Sequence, residues 1–320
     1  MDWVGDVGRG EWLRERLDVR WRNMHSAVPH GFEAYARVFH PVTIDRPAGT
    51  GTWAGSNRGF ASGIDYRSVP WARVAEVGGT TMHPLAQFGR LNRGVPNEYN
   101  ELVDADGWRY SEPAVGTLDV AALAAVAAHL AAHTGTPDAR IAAVWEGWGG
   151  LVSGTGVSVI MVSDDEAADR ASDRASDHAS DRETEAGEAR LRQAALAAMV
   201  ETDDARGPGL LPADVSSGAR LRLPGRDYVL FDAGVRRFVD PAWLTDAPWT
   251  DSTWPQSPNL IWPDDHAWVL VSEIDFDSTV IAGSRALVDA LVADPTIEVL
   301  ELREGADLTS EGDTVNRPPH

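Results

Sequence analysis

Apolar and polar side chains alternate through Phe32-Glu33-Ala34-Tyr35-Ala36-Arg37-Val38-Phe39. That places Phe32, Ala34, Ala36 and Val38 on one face and predicts a strand. Between Thr117 and His133 the period changes to that of a helix, with Leu123, Val126 and Leu130 on one stripe and alanine around them. Thr117 is the expected N-cap, Asp119 suits the positive end, and Gly135 is the expected left-handed stop. A helix with so many alanines lets neighbours approach closely and is expected to lie on a sheet.

The β-rich runs Ile141 to Trp145 and Gly156 to Val162 flank a Gly-Trp-Gly-Gly turn and predict one hairpin. Leu221 to Leu223 and Asp227 to Phe231, around Pro224-Gly225-Arg226, predict a second. Ala267 to Phe276 starts apolar on both sides and ends alternating, as a central strand emerging into solvent would. Gly283-Ser284 then opens a helix over Arg285 to Ala293, followed by a strand from Ile297 to Leu302. Strands and helices in this irregular order predict an α+β fold with mixed or antiparallel sheets and packed helices.

One stretch breaks the pattern. From Ala167 to Arg182 the chain repeats a four-residue unit, Ala-Ala-Asp-Arg and then Ala-Ser-Asp-Arg or its His variant. Residues 164–190 carry too little apolar surface to offset the entropy of ordering them, so a disordered acidic linker is expected there. The last residues, 303–320, end in Pro-Pro-His and read as a disordered tail. One α+β unit is thus expected in two parts, 1–163 and 191–302.

Composition narrows the chemistry. All 28 basic residues are arginine, cysteine is absent, and 49 acids give a net charge of −21. Without lysine there is no Schiff base to pyridoxal phosphate, no P-loop lysine and no kinase strand lysine. The lack of cysteine removes thiolate nucleophiles, thiolate metal sites and disulfides. GC-rich codon usage accounts for arginine in place of lysine. The acidic balance disfavours nucleic acid and anionic membranes as partners. The N-terminus has no secretory pattern, and the longest apolar run, Val120 to Ala128, is too short to span a bilayer. A cytoplasmic protein is expected.

Several motifs stand out: Val28-Pro-His-Gly-Phe-Glu-Ala-Tyr-Ala-Arg-Val-Phe-His-Pro41, Met82-His-Pro84, Trp145-Glu-Gly-Trp-Gly149 and Leu223-Pro-Gly-Arg-Asp-Tyr-Val-Leu-Phe231. Gln256-Ser-Pro-Asn-Leu-Ile-Trp-Pro-Asp-Asp265 and Glu273-Ile-Asp-Phe-Asp-Ser-Thr279 belong with them. Together they resemble a family of uncharacterised actinobacterial proteins. The resemblance brings no activity, cofactor or catalytic residue, and implies a bacterial, intracellular origin.

Candidate chemistry concentrates between Asp240 and Trp268, where five tryptophans alternate with five prolines. Trp249, Trp254 and Trp262, with Asp264 and Asp265, form a candidate binding surface, because exposed indoles stack on sugars, bases, cations and proline-rich peptides. The competing reading is that these indoles fill the core. Glu273, Asp275 and Asp277 would share one side of a strand, where a divalent cation or an arginine must relieve their repulsion. His40 and His83, each before a proline, are the candidate catalytic bases. His129 and His133 have the spacing of a metal clamp but sit in a last helical turn, where the dipole alone favours them. Gly49 to Ala54 has a degenerate dinucleotide-loop spacing without the helix that should follow.

These features favour a binding or interaction protein using the Trp/Pro segment, with a small ligand or a basic protein as partner and no resident cofactor. A metal-assisted hydrolase or transferase built on Glu273, Asp275 and Asp277 is the alternative, and a toxin-neutralising or regulatory partner protein is a third.

Overall fold

The computed structural model describes residues 1–20, 22–49, 51, 53, 63–92, 102–152, 209–250 and 255–317. The linker of 164–190, its repeat, and the strand expected over Gly156 to Val162 lie outside them. Contacts divide the chain into Met1–Glu146 with Gly218–His320, and Gly147–Ser217. In the described part of the second unit, the Leu210 and Leu211 amides donate to the carbonyls of Gly150 and Leu151, and one helical turn covers Ala213–Ser216.

The first unit holds every strand among the described residues. In chain order these are β1 (Asp2–Trp3), β2 (Ala34–Phe39), β3 (Val42–Pro47), β4 (Ile64–Val69), β5 (Leu102–Val103), β6 (Arg109–Tyr110) and β7 (Arg140–Trp145). They continue with β8 (Leu221–Leu223), β9 (Arg226–Asp232), β10 (Leu260–Pro263), β11 (Val269–Val271), β12 (Ser278–Gly283) and β13 (Val299–Leu302). All pair antiparallel. The α+β class expected from the pattern is thus present.

A nine-stranded sheet runs β1-β9-β7-β10-β11-β12-β2-β13, with β8 also on β9. Strands β1 and β8 share one edge of β9: β8 takes Arg226 to Tyr228, and β1 takes Phe231 and Asp232. Gly225, at φ 79°, makes the turn of the predicted β8–β9 hairpin. Strand β7 pairs with β9 and β10. A second sheet, β4-β3-β6-β5, has its own aromatic core of Phe39, Trp71, Phe88, Trp108 and Tyr110. His40-Pro41 is where the chain leaves the first sheet and enters the second.

Both faces of the large sheet are covered, which explains why β2, β10, β11 and β12 are buried at every residue. On one side lie the helices Val120–Ala132 and Arg285–Val292, and Trp268 donates its indole N–H to the Leu130 carbonyl at 2.9 Å. On the other side, Leu13, Met24 and Val28 from the N-terminal segment pack with Ala306 and Leu308. For residues 303–317 this corrects the expectation of a disordered tail. Its described part, to Arg317, is held by Ala306 and Leu308 in the core, by the Met24 N–H on the Ala306 carbonyl, and by buried Asp313 and Asn316.

The helix of residues 120–132 starts later than its pattern suggests. Asp119 is the cap, accepting from the Ala121 and Ala122 amides, while Thr117 is tied to Ser257. Gly135 donates to Asp265 and is not the left-handed stop. By contrast Ser284 caps Arg285–Val292 as expected.

One glycine is required by geometry. Gly116 has φ +69°, and a Cβ there would lie 2.7 Å from the Ile274 Cα. Its N–H donates to the Phe276 carbonyl, and its own carbonyl accepts from Asn259. Gly116→Ala therefore combines backbone strain with a collision against main chain. It should lower unfolding free energy by at least about 2 kcal/mol in a urea titration, whereas Gly79→Ala, with φ +64° but open space around it, should cost less.

Candidate functional site

At the seam between the two sheets, the start of the helix Val120–Ala132 faces the end of β2 and the loop before β13. A cleft of about 790 Å3 opens there, with Phe39, Pro41, Val69, Ala122 and Ile297 as apolar wall and Ser68, Thr296, Asp119 and Glu298 as polar wall. Its size falls within the usual range for small-ligand sites. Both acids serve helix starts. Glu298 accepts from the Trp71 and Ala72 amides at the head of Trp71–Gly78, and Asp119 Oδ1 accepts from Ala121 and Ala122. Burial pushes the Glu298 carboxyl up, against the pull of the Ala72 and Trp71 amides. Among the described residues no basic side chain lines the cleft. A polar depression of about 360 Å3 near Asp2, Asp232 and Arg237 is smaller, and there Arg236 pairs with Asp138 at 3.1 Å.

Behind the cleft His40 is enclosed. The Ala114 carbonyl, 2.6 Å from Nδ1, can only accept, so Nδ1 carries the hydrogen. Nε2 then accepts from the Thr279 hydroxyl at 2.8 Å, and Thr279 in turn accepts from Ser272 at 2.5 Å. Burial drives the His40 pKa down to about 4. Both ring nitrogens are occupied and Ser272 and Thr279 are fully buried, so this relay is an internal polar tie. The expected role of His40 as a base gives way to that arrangement.

His83 is likewise occupied. Nδ1 accepts from the Leu85 amide and Nε2 donates to Asp313 at 2.9 Å. Burial alone would raise the Asp313 carboxyl, yet hydrogen bonds from the Asn316 and Gln87 amides, the Asn316 side chain and His83 outweigh it and hold it at about 2. Among these ring hydrogen bonds, none joins His40 to His83. His129 bonds Asp294 at 2.8 Å, and His133 bonds the His129 carbonyl at 2.8 Å.

The acidic column is not a column. Residues 272–277 form the connection between β11 and β12, not a strand, so Glu273, Asp275 and Asp277 do not share a face by alternation. Arginines take the place the cation was expected to fill. Arg226 lies 3.1 Å from Glu273 and 2.7 Å from Asp275, and Arg37 lies 3.2 Å from Asp277. Burial raises the Glu273 and Asp277 carboxyls while Arg226 and Arg37 pull them back.

Arg37 is the most constrained of these groups, being 1% exposed. Nε donates to Ser278, one terminal nitrogen to the Pro84 and Ala86 carbonyls, and the other to Asp277. Its guanidinium also lies 4.7 Å from the Phe39 ring centre and 5.5 Å from that of Trp71.

The described tryptophans of the Trp/Pro segment point inward. Trp249 is 2% exposed, donates to the Gln256 carbonyl at 3.0 Å, and packs 4.6 Å from Phe231. Trp262 is 1% exposed on β10, edge-on to Trp12. Trp254 lies outside the described residues. Asp264 pairs with Arg9 at 2.6 Å, and Asp265 accepts from Thr134, Gly135 and Ala267. Burial alone would raise the Asp265 carboxyl, but those hydrogen bonds keep it below its usual range. Trp249 and Trp262 are thus core residues, and the recognition surface expected of them is not formed by these two.

Sequence reasoning passed over two groups of residues that the fold brings together. Asp119 and Glu298 meet at the cleft from positions far apart in sequence, and each looks locally like an ordinary surface acid. His25, His30 and Glu304 also converge; the five-residue spacing of the histidines was a faint signal, but Glu304 fell in the expected tail.

Comparison with known proteins adds nothing to this geometry: no protein-family model, curated protein or solved structure matches the chain. Among the described residues no helix is long and apolar enough to cross a membrane.

His40 links stability to pH. Its pKa is depressed in the folded state, from about 6.5 to about 4, so the unfolded chain binds the extra proton between those values. Stability is full above the unfolded pKa and falls as pH drops toward 4. About 2 kcal/mol should be lost between about pH 7.5 and about pH 5, and His40→Gln should remove most of that slope in paired urea titrations. A second variant, Arg37→Leu, leaves the largely buried Asp277 carboxylate without its counter-ion. It should cost about 3–5 kcal/mol, read as a fall in the urea midpoint, while Arg37→Leu with Asp277→Asn should recover part of the loss.

Proposed function

We propose that this protein binds a small amphipathic cation, an amine carried on an apolar body, in the cleft between the two sheets. The observation that carries this reading is the lining of that cleft. Among the described residues, apolar side chains form most of the wall, two carboxylates stand in it, and no arginine does, in a chain with 28 arginines. An apolar body would gain about 25 cal/mol for each Å2 removed from water. A cationic head would meet Asp119, whose Oδ1 is used by the helix cap, and Glu298, whose charged form a neighbouring cation favours.

A binding role of this kind keeps the class of function expected from the sequence and moves its site from the tryptophans to the cleft. The polar relay behind the wall supports it by fixing the position of the β2–β3 crossover. A metal-assisted reaction at Glu273, Asp275 and Asp277 has less support, because each of those carboxylates is already paired with an arginine.

Thermal shift with matched ligand pairs tests the proposal. Alkyl and aryl amines should raise the melting temperature, and carboxylic acids on the same bodies should not. Ala125→Trp, which fills the cleft from the helix, should abolish the shift. Asp119→Asn keeps a capping residue and should weaken amine binding several-fold, as expected for one exposed charge. Equal shifts from the acids, or shifts indifferent to Ala125→Trp, would sink the idea.

A further inference from the structure

We infer that His25, His30 and Glu304 form a binding site for a divalent transition metal, with Zn2+ as the preferred ion. One ligand atom from each lies within 4.8 Å of the other two. This site is separate from the cleft and does not depend on the binding role proposed for it.

Hydrogen-bond accounting supports the assignment independently of that spacing. His25 is 1% exposed. Its Nδ1 lies 2.9 Å from the Val28 carbonyl, which can only accept, so in the neutral ring the hydrogen sits on Nδ1 and the lone pair on Nε2. Nε2 is buried with no hydrogen-bond partner among the described residues. An enclosed ring nitrogen left unpaired costs free energy unless something else satisfies it, and the lone pair of a neutral imidazole is the commonest protein ligand for a metal ion.

His30 is prepared in the same way. Its Nε2 lies 3.1 Å from Asp18 Oδ1, so that nitrogen donates to the carboxylate and Nδ1 is left with the lone pair. A carboxylate or carbonyl on the far ring nitrogen is the usual outer partner of a metal-bound histidine, since it fixes both tautomer and ring direction. Here each histidine has one: Val28 for His25 and Asp18 for His30. The two rings stack with centroids 3.6 Å apart.

Glu304 supplies an anionic oxygen from the other end of the chain, where the Met24 amide ties to the Ala306 carbonyl at 2.8 Å. That bond holds the two segments together whether or not an ion is present. The Arg16 carbonyl accepts from the His30 amide at 2.8 Å, and its guanidinium lies over the Trp12 ring at 5.3 Å. Tetrahedral ligands about 2.0–2.1 Å from zinc stand about 3.4 Å from one another. Closing the cluster therefore takes movements of about an ångström together with a turn of the His30 ring out of its stack on His25, because the in-plane lone pairs of stacked rings run side by side and do not meet at one ion. Exposed Glu304 and half-buried His30 can make them.

Two imidazoles and one carboxylate form a borderline donor set that selects Zn2+, Co2+ or Ni2+ over Mg2+ and Ca2+. Three protein ligands leave a tetrahedral ion one position for water, as in open zinc sites.

The full chain, stripped with a chelator and titrated with Zn2+, Co2+, Mg2+ and Ca2+, tests this. One equivalent of Zn2+ should bind and raise the melting temperature, Co2+ should give the visible absorption of a tetrahedral N/O site, and Mg2+ and Ca2+ should do neither. His30→Ala and Glu304→Gln, both at accessible positions, should each weaken Zn2+ by more than about 100-fold, and Asp18→Asn by about 10- to 100-fold. His129→Ala with His133→Ala should leave binding intact. The buried His25→Gln variant should lose Co2+ absorption; if it does not fold, the His30 and Glu304 variants still decide. The inference is overturned by the absence of Zn2+ binding to the wild-type chain. Tight binding unchanged in His30→Ala and Glu304→Gln overturns it equally, since the ion would then lie elsewhere.

Discussion

The buried guanidinium of Arg37 is the constraint on which the rest of this structure depends. A charge removed from water is tolerated only when its donors are satisfied and a counter-charge is near. Arg37 meets both conditions by drawing in four partners from two separate segments: Asp277 and Ser278 at the start of β12, and Pro84 and Ala86 in the loop before Phe88. Burial pulls its pKa down and Asp277 pulls it back. Because β2 lies between β12 and β13, the same side chain that stabilises this end of the large sheet also fixes the loop that leads into the aromatic core of the small one.

A second set of polar ties runs through the same seam. His40, Thr279 and Ser272 form one line of hydrogen bonds, and Asn259 joins Ser272 to the carbonyl of Gly116. Inside a protein such a network is costly if incomplete and rigid if complete. Here it is complete, which keeps the β2–β3 crossover and the start of the helix Val120–Ala132 at fixed positions. The cleft is the space those fixed pieces enclose.

The arginine-only composition acquires a structural meaning in this setting. A planar guanidinium can serve two carboxylate oxygens or several carbonyls at once. Arg109 grips both oxygens of Asp45 at 2.9 and 2.7 Å, Arg226 spans Glu273 and Asp275, and Arg37 serves carbonyl, hydroxyl and carboxylate together. Acids that looked like free ligands in the sequence are thereby committed. The histidines divide similarly: His40 and His83 have both ring nitrogens engaged, whereas His25 keeps a buried nitrogen without a partner among the described residues.

Local pattern alone determined the α+β class, the strand at Ala34–Phe39, the Pro224-Gly225 hairpin and the Ser284-capped helix, because alternation, turn chemistry and capping act over a few residues. It also set the exclusion of lysine and thiol chemistry. Tertiary structure decided everything that depends on distant partners. Trp249 and Trp262 went inward because the sheet needed both faces covered. Residues 303–317 are ordered because Ala306 and Leu308 complete one of those faces. Asp277 became a counter-ion because Arg37, 240 residues away, was buried beside it. Sequence separation hides such pairs, since a side chain's role follows from what surrounds it in space, and only the folded chain assembles those surroundings.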